Sequence, residues 1–313
     1  MARTPLSGTQ HALRAGGYEA VIAGVGASLR TLTYAGRDLV VPFDADEMRP
    51  RHRGATLAPW PNRIVDGRYV FDGVEQQLAL TEPARGHALH GLASWIEFVP
   101  VDKGASHVTL EAVIEAQKGY PWRVVVRTSF SLTSIGLVQS VTAVNESQHP
   151  APWGTAAHPY LVAGAGHADD WTLELPAAQV LLASDRMVPA GLEDVTVDAE
   201  RFDFRTPRRI GVAQLDHAFT GLAADGDGTV TARLTDAAGS GVEMAWDAAC
   251  PWVQVYTSDG PAGDPATRAA VAVEPMTCAP DAFNAASYPY DTGLVVLAPG
   301  GTATAQWRIA AIG

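Results

Sequence analysis

The chain has 313 residues, of which 34 are acidic and 22 are basic, so its formal net charge at pH 7 is -12. This acidic balance argues against general binding to nucleic acids or to anionic membranes, because both need a basic protein surface. The two cysteines are too few for a disulfide framework in a chain of this size, and they form no C-x-x-C pair for a structural zinc site. The first ten residues lack a secretory pattern and no apolar run reaches membrane-spanning length, so we expect a cytoplasmic protein.

Short runs of β-branched and aromatic residues alternate with Gly, Pro, Asp and Asn, a pattern typical of antiparallel strands joined by tight turns. Four hairpins are predicted, with turns at residues 35–37, 72–73, 133–136 and 299–301. Helical periodicity is hard to find, and the best candidate, around Glu200, is short. We therefore predict an all-β protein with very little helix, in which residues 1–313 form a single domain.

The one basic cluster, Arg-Pro-Arg-His-Arg, occupies residues 49–53. Guanidinium groups match phosphate and sulfonate oxygens in geometry, so this cluster could bind an anionic substituent of a sugar. A solvated charged loop is the alternative interpretation.

A stiff loop at residues 59–63 reads Pro-Trp-Pro-Asn-Arg. The two prolines restrict its backbone, Trp60 offers an apolar face for a sugar ring, and Asn62 and Arg63 supply hydrogen-bond donors for hydroxyl groups. These residue types suit a sugar site, and an arginine packed against the tryptophan for stability alone is the alternative.

Three histidines stand out in short segments bounded by Gly or Pro. His87 and His90 are three residues apart and could be metal ligands, sugar contacts or structural groups, although zinc usually needs a third close ligand. His158, followed by Pro159 and Tyr160, can exchange a proton near neutral pH because free histidine titrates near ~6.5. A buried histidine held by the backbone is the other interpretation of His158.

Glu274 is the candidate general base. In the run Val-Ala-Val-Glu-Pro that ends at Pro275, Val271 and Val273 share one face of a predicted strand, because side chains alternate. Glu274 lies on the opposite face, beside small residues, and Pro275 is expected to end the strand ladder. A carboxyl group in a partly apolar cleft would have a raised pKa, which suits a base near neutral pH. An edge carboxylate in solvent is the alternative.

Two further polar residues lie beside aromatic ones. Asp216 begins an Asp-His-Ala-Phe run, and Gln254 shares a predicted strand face with Trp252 and Tyr256. Each of these signals is weak by itself.

Taken together, the segments resemble the aldose 1-epimerase (mutarotase) family of the galactose mutarotase-like superfamily over nearly the whole chain. The matching pieces follow the family's order: Asn-Arg-Ile at Asn62, Leu-His-Gly at Leu89, His-Pro-Tyr at His158, Asp-His-Ala-Phe at Asp216, Gln-Val-Tyr-Thr at Gln254 and Glu-Pro at Glu274. The resemblance implies an antiparallel β-supersandwich whose cleft lies on one broad sheet. It also implies that the protein interconverts the α and β anomers of a hexose or a related sugar without a cofactor or a metal. We expect a monomer or a homodimer, and the sequence does not decide between the two.

The resemblance further implies the roles of individual residues. Glu274 would be the general base and His158 the general acid. The expected substrate contacts are Asn62, Arg63, His90, Asp216, Gln254, Trp60 and Tyr160.

Two segments depart from the galactose-type members of the family. Those members carry Gly-Arg-x-x-Asn-Arg where residues 58–63 read Ala-Pro-Trp-Pro-Asn-Arg, and an Asn-x-Thr-x-His stretch where residues 153–158 read Trp-Gly-Thr-Ala-Ala-His. The forms in this chain look more like a bacterial branch that includes sulfoquinovose-mutarotase-like proteins. The resemblance therefore leaves the identity of the sugar open.

Other classes of function remain open on the sequence alone. A non-catalytic sugar-binding or regulatory protein on the same fold would tolerate the loss of Glu274 or His158. A metal-dependent sugar isomerase would use His87, His90 and Glu274 as ligands. A glycosidase is disfavoured because it needs paired carboxylates, and only Glu274 stands out.

Overall fold

The computed structural model of the protein describes residues 3–261 and 263–313, and nearly every regular element in that part of the chain is a strand. In chain order the strands are β1 (Gln10–Ala15), β2 (Tyr18–Ala23), β3 (Ser28–Tyr34), β4 (Arg37–Asp38), β5 (Thr56–Leu57), β6 (Arg63–Ile64), β7 (Arg68–Phe71), β8 (Val74–Gln77), β9 (Ala88–Leu89), β10 (Val99–Lys103), β11 (His107–Ile114), β12 (Val124–Thr133), β13 (Gly136–Asn145), β14 (Ala151–Trp153), β15 (Ala156–Ala157), β16 (Tyr160–Leu161), β17 (Thr172–Glu174), β18 (Ala177–Ala183), β19 (Pro189–Asp194), β20 (Arg208–Arg209), β21 (Asp216–Leu222), β22 (Val230–Thr235), β23 (Gly241–Trp246), β24 (Trp252–Tyr256), β25 (Val271–Met276), β26 (Val295–Leu297) and β27 (Thr302–Ile312).

The helical segments are short. The predicted helix near Glu200 is confirmed as α1 (Ala199–Phe202), and the 3-10 turns are Pro50–His52, Val65–Gly67, Ala93–Trp95 and Ala282–Ser287. No helix in the described ranges is long and apolar enough to cross a bilayer.

Two large antiparallel sheets form the framework. The nine-stranded sheet has the order β10, β11, β12, β13, β27, β23, β22, β17, β20. The eight-stranded sheet has the order β19, β18, β21, β24, β25, β15, β5, with β16 also paired to β25. Val126 and Phe130 of the first sheet belong to the same buried hydrophobic cluster as Val253 and Val273 of the second. The inner faces of both sheets therefore contribute to one core, as expected of a β-sandwich.

Three of the four predicted hairpins are confirmed, since β3 pairs with β4, β7 with β8, and β12 with β13. The fourth is wrong, because β26 pairs with β14 whereas β27 pairs with β13 and β23. The side-chain amide of Asn145 donates to the carbonyl oxygens of Leu297 at 2.9 Å and Ala298 at 3.3 Å. These long-range hydrogen bonds fix the turn at residues 299–301 as a crossover between sheets, which its local sequence does not reveal.

The alternation predicted around Glu274 is confirmed. Val271 and Val273 lie in the main core, while Glu274 lies on the other face of β25 and lines a cleft. Pro275, however, does not end the ladder, because β25 continues to Met276, which pairs with both Trp252 and Ala156. A proline is tolerated at antiparallel positions where no partner carbonyl needs its missing N–H.

Candidate active site

The centre of the cleft is a buried contact between a carboxyl group and an imidazole. His158 Nε2 lies 3.4 Å from Glu274 Oε1, and the two side chains are only 7% and 3% exposed. The strands that flank His158 both pair with β25, through Ala156 opposite Met276 and Tyr160 opposite Ala272. His158 therefore lies next to the part of β25 that carries Glu274, and the strand pairing on both sides fixes the distance between the two side chains.

Burial shifts the pKa values of this pair in opposite directions. It raises the pKa of Glu274 well above its usual value, an effect that Asp216 increases and Arg63 opposes. Burial, together with the neighbouring His52 and Arg49, lowers the pKa of His158 to about 3. Both shifts favour uncharged side chains, so the pair shares one transferable proton that burial places on Glu274.

Arg63 is held rigidly at the edge of the cleft. Its Nε and Nη2 donate to the Glu82 carboxylate at 2.8 and 3.0 Å, and its Nη1 donates to Asn62 Oδ1 at 3.3 Å. Glu82 also accepts a hydrogen bond of 2.8 Å from Arg85. This two-pronged arrangement fixes the plane of the guanidinium group. Glu82 was not predicted from the sequence, since no local motif marks it and its partner Arg63 lies 19 positions away.

Asp216 and Gln254 form a second polar pair on neighbouring strands. Gln254 Nε2 donates to Asp216 Oδ1 at 2.7 Å, and the register places Gln254 opposite Glu274. Burial raises the pKa of Asp216, whereas Arg63 and Gln254 act to lower it. Gln254 Oε1 and Glu274 Oε2 are buried without a hydrogen-bond partner in the described part of the chain, so each side chain that lines the cleft keeps unused acceptor capacity.

Aromatic and imidazole rings form a continuous group along the other side of the cleft. The ring centroids of His90 and His158 are 5.0 Å apart, and those of His158 and Tyr160 are 5.2 Å apart with nearly parallel planes. His52 extends this group, since its ring lies 4.7 Å from that of His90. Burial lowers the pKa of His90 well below its usual value, so this histidine is neutral in the cleft. Sequence reasoning treated His52 only as a member of the basic cluster.

The basic cluster at residues 49–53 divides between the core and the cleft. Arg49 is buried and donates to the Val25 carbonyl at 3.0 Å, while Arg53 lies over the Tyr160 ring at 5.8 Å. Arg51 lines the cleft and makes only long hydrogen bonds, of 3.4 and 3.5 Å, to Ser258 and Asp264. Of the three guanidinium groups, that of Arg51 therefore remains available to a bound ligand.

The expected placement of Trp60 needs correction. Its side chain is 2% exposed, its Nε1 donates to the Ala88 carbonyl at 3.3 Å, and its ring packs against Phe283. The ring thus belongs to the hydrophobic core beneath the cleft and offers no face to a sugar. Burial of a large aromatic side chain outweighs the advantage of exposing it for stacking.

The ligand set considered for a metal site does not come together. Both ring nitrogens of His87 are engaged, Nδ1 by the Asp66 amide at 3.1 Å and Nε2 by the Arg186 carbonyl at 2.7 Å. Residues 3–261 and 263–313 contain no group of three His, Cys, Asp or Glu side chains placed to hold a metal ion. His87 is instead a structural group that ties two loops together.

The cleft has a volume of about 680 Å³, which lies within the range usual for small-molecule sites. Eight of the nine residues expected at the site line it, and Trp60 does not. Those eight are Glu274, His158, Asn62, Arg63, His90, Asp216, Gln254 and Tyr160. Fixed hydrogen-bond donors and acceptors surround the acid–base pair. The donors and acceptors can bind hydroxyl groups, and the pair can move a proton between neighbouring oxygens.

Comparison with known proteins gives a consistent result. The family model for aldose 1-epimerase matches residues 9–310. The Escherichia coli (strain K12) protein YihR, described as uncharacterized, is 35% identical over 279 residues, which cover 89% of this chain and 87% of YihR. The galactose mutarotase of Rattus norvegicus is 27% identical over 66% of this chain and 62% of its own length. A GalM/aldose epimerase homologue from C. elegans superposes with a TM-score of 0.84 at 20% identity, over 97% of this chain and 98% of that one. The predicted β-sandwich fold is thereby confirmed.

Proposed function

Because the chain belongs to the aldose 1-epimerase family, we propose that it is a mutarotase that interconverts the α and β anomers of an aldose. The observation that carries this proposal is the buried contact of 3.4 Å between His158 Nε2 and Glu274 Oε1. An acid and a base held next to each other, so that one reaches the anomeric hydroxyl group and the other the ring oxygen of a hemiacetal, are sufficient to open and reclose a sugar ring.

In the proposed mechanism Glu274 removes the proton of the anomeric hydroxyl group while His158 donates a proton to the ring oxygen. The bond between C1 and the ring oxygen breaks, and the product is an open-chain aldehyde. Rotation about the C1–C2 bond presents the other face of the aldehyde. The ring then closes with the two proton transfers reversed, so both side chains return to their starting states.

The protonation state of the pair supports this sequence of steps. The reaction needs one proton on the pair, and burial favours one proton on it, located on Glu274. Transfer of that proton to His158 gives the reactive form without any exchange with solvent. The two forms have the same proton count, so they occupy the same pH range.

The surrounding polar groups would hold the sugar while its ring is open. Arg63 is kept in place by Glu82, and Asp216 is kept in place by Gln254. With His90, these side chains would bind hydroxyl groups that do not react. Such contacts favour reclosure over escape of the aldehyde, because the reacting groups remain in position during the rotation.

We further propose that Arg51 binds an anionic substituent, such as a sulfonate or a phosphate, where the sugar carries one. Its guanidinium group lines the cleft, its hydrogen bonds to Ser258 and Asp264 are long, and its side chain is one-third exposed. A planar guanidinium group with free N–H donors is well suited to such oxygens.

The test is relaxation to anomeric equilibrium, followed by polarimetry on freshly dissolved α-glucose, α-galactose and a 6-sulfonated glucose. We expect the wild-type protein to accelerate at least one of these reactions, and Glu274→Gln to abolish the acceleration. The ranking of the three sugars would identify the substrate class. Binding of a sugar with no acceleration of any of them would instead indicate a sugar-binding protein.

A further inference from the structure

The loop that carries His52 has an unusual backbone conformation. Arg51 and His52 are consecutive non-glycine residues with left-handed φ values of 46° and 57°. This region is unfavourable for residues with a Cβ atom, and strain of this kind concentrates at sites that bind ligands. The surrounding structure must therefore hold the loop in place.

Backbone hydrogen bonds tie this loop directly to the segment that carries the reacting histidine. The Gly54 amide donates to the His158 carbonyl at 2.8 Å, and the His158 amide donates to the Ala55 carbonyl at 3.1 Å. The Tyr160 hydroxyl group donates to the Arg51 carbonyl at 3.3 Å. The position of His52 is consequently fixed relative to His158 and to the acid–base pair.

Neighbouring rings fix the orientation of the imidazole. Its centroid lies 4.7 Å from that of His90 and 5.7 Å from that of Trp95. Trp95 is itself held by the Arg49 guanidinium group, 4.5 Å from the ring centroid. Arg49 in turn donates hydrogen bonds to the Val25 carbonyl oxygen at 3.0 Å and to the Ser28 hydroxyl oxygen at 2.6 Å. This series of contacts leads from the buried core to the wall of the cleft and leaves the His52 ring little freedom.

The two nitrogens of the ring have different surroundings. Nδ1 is buried and has no hydrogen-bond partner within the described ranges. A buried lone pair without a partner is less unfavourable than a buried N–H without one, so we assign the proton of the neutral ring to Nε2. Burial and the charge of Arg49 lower the pKa of His52 to about 4, so the ring is neutral near pH 7. Since His52 lines the cleft, Nε2–H is the group it can offer to a ligand.

We propose that His52 is a further substrate-binding residue, which donates a hydrogen bond from Nε2 to one hydroxyl group of the bound sugar. Trp95 and Arg49 are positioning residues, because they act through His52 and through its ring orientation. The proposal rests on the proposed function, since it assumes that the ligand of this cleft is a sugar. It adds a contact that none of the matched sequence motifs includes.

Two substitutions separate the hydrogen bond from the shape of the loop. His52→Asn keeps a residue that tolerates the left-handed backbone, and His52→Phe keeps an aromatic ring next to Trp95 and His90. Both lack a donor at the position of Nε2, because phenylalanine has no N–H and the shorter asparagine places its amide nitrogen near the position of Nδ1. The matched control is His107→Phe, at an exposed histidine on β11 that does not line the cleft. The measurement is kcat/KM for anomer exchange of the best sugar and of its 2-, 3-, 4- and 6-deoxy forms.

We expect both His52 variants to lower kcat/KM about tenfold, the effect of one lost hydrogen bond in a protein site, with His107→Phe unchanged. One deoxy sugar should be turned over equally well by the wild-type protein and by both His52 variants, because it lacks the partner hydroxyl group. A uniform loss on every deoxy sugar would show a purely structural role and overturn the proposal. Unchanged kcat/KM on the parent sugar would overturn it as well.

The contact made by His52 can be tested even if the protein is not a mutarotase. If the wild-type protein accelerates no anomer exchange, the dissociation constants of the same sugars are measured by calorimetry for the wild-type protein and both variants. An approximately tenfold weaker affinity that is absent for one deoxy sugar would support the contact. Equal affinities would overturn it.

Discussion

The two walls of the cleft are built in different ways. The sheet wall consists of residues on three adjacent strands, Asp216 on β21, Gln254 on β24 and Glu274 on β25. The loop wall consists of His52, Asn62 and His90, which share left-handed φ values of 57°, 53° and 59°. The pairing register of the strands positions the residues of the sheet wall through many backbone hydrogen bonds. Each residue of the loop wall instead adopts an unfavourable backbone conformation that its own local contacts must hold in place.

His158 belongs to both walls. Its flanking strands pair with β25, and its backbone is hydrogen-bonded to Gly54 and Ala55, which directly follow the loop that carries His52. The acid–base pair therefore stands on the more rigid part of the structure, where a separation can be kept constant. The loop wall carries groups suited to recognition, whose replacement would alter binding while leaving the sheet intact. We therefore expect substitutions in the acid–base pair to lower kcat, and substitutions in the loop wall to weaken sugar binding.

The largest effect should come from the sheet wall. We expect Glu274→Gln and His158→Ala each to reduce kcat by about 10²–10⁴-fold, the usual contribution of a positioned acid or base, with sugar affinity largely retained. The measurement is anomer exchange by polarimetry together with sugar binding by calorimetry. Glu193→Gln on β19 is the control, because it makes the same change at an exposed position of the same sheet and should leave kcat unchanged. Wild-type rates in Glu274→Gln would mean that the sheet wall does not carry the chemistry.

A smaller effect should come from the group that supports Arg63. Glu82→Gln replaces the carboxylate that accepts two hydrogen bonds from Arg63. The side chain of Arg63 is 9% exposed and that of Glu82 is 13% exposed. We expect KM to rise about tenfold with kcat changed much less, since the guanidinium group loses its fixed plane but not its charge. Loss of a mostly buried ion-pair partner should also lower the unfolding temperature.

Glu115→Gln is the matched control for that change, because Glu115 pairs with Arg123 at an exposed site. Exposed ion pairs contribute little to stability, so its unfolding temperature and KM should match those of the wild-type protein. Equal effects of the two substitutions would contradict a special role for the Arg63–Glu82 contact.

Arg51→Ala should have a selective effect. We expect about tenfold weaker binding of a 6-sulfonated or 6-phosphorylated glucose, because a charge-assisted hydrogen bond is lost, with glucose itself nearly unaffected. The measurement is the ratio of kcat/KM for the charged and the neutral sugar in the wild-type protein and the variant. Arg53→Ala is a suitable comparison, since Arg53 lies over Tyr160 and does not line the cleft. An equal loss on both sugars would remove Arg51 from the recognition of charge.

The two walls also differ in how far their geometry follows from sequence. The period-2 pattern around Glu274 and Gln254 predicts which face each side chain occupies, and the structure confirms it for both. Strand alternation is a local property, so three predicted hairpins are confirmed as well. The pairing of β26 with β14 is set by contacts of Asn145 with residues about 150 positions away, and no local pattern contains that information.

On the loop wall the sequence indicates residue types but not their positions. Pro-Trp-Pro-Asn-Arg suggests a sugar loop, yet the structure buries Trp60 and leaves Asn62 and Arg63 in the cleft. His52 lines the cleft with a left-handed backbone, and no local sequence pattern predicts that conformation at this position. Glu82 meets Arg63 through tertiary folding alone.

The smallest expected effect is the response of the reaction rate to mild acid. Burial lowers the pKa of His158 to about 3 and raises that of Glu274, so acidification from about pH 7 to about pH 5 does not change the proton count of the pair. The nearby His52, whose pKa is lowered to about 4, also stays neutral over this range. Arg49, whose pKa burial lowers to about 10, and Arg63, whose pKa Glu82 helps to raise, both stay charged. We therefore expect kcat/KM to change less than about twofold between these pH values, and to fall in alkaline solution once Glu274 gives up the shared proton.

Measured pH profiles of the wild-type protein and of His52→Asn test this directly. A tenfold acid loss centred near the ordinary histidine pKa of ~6.5 would show that water reaches the pair, and that the sheet wall is less closed than its burial indicates.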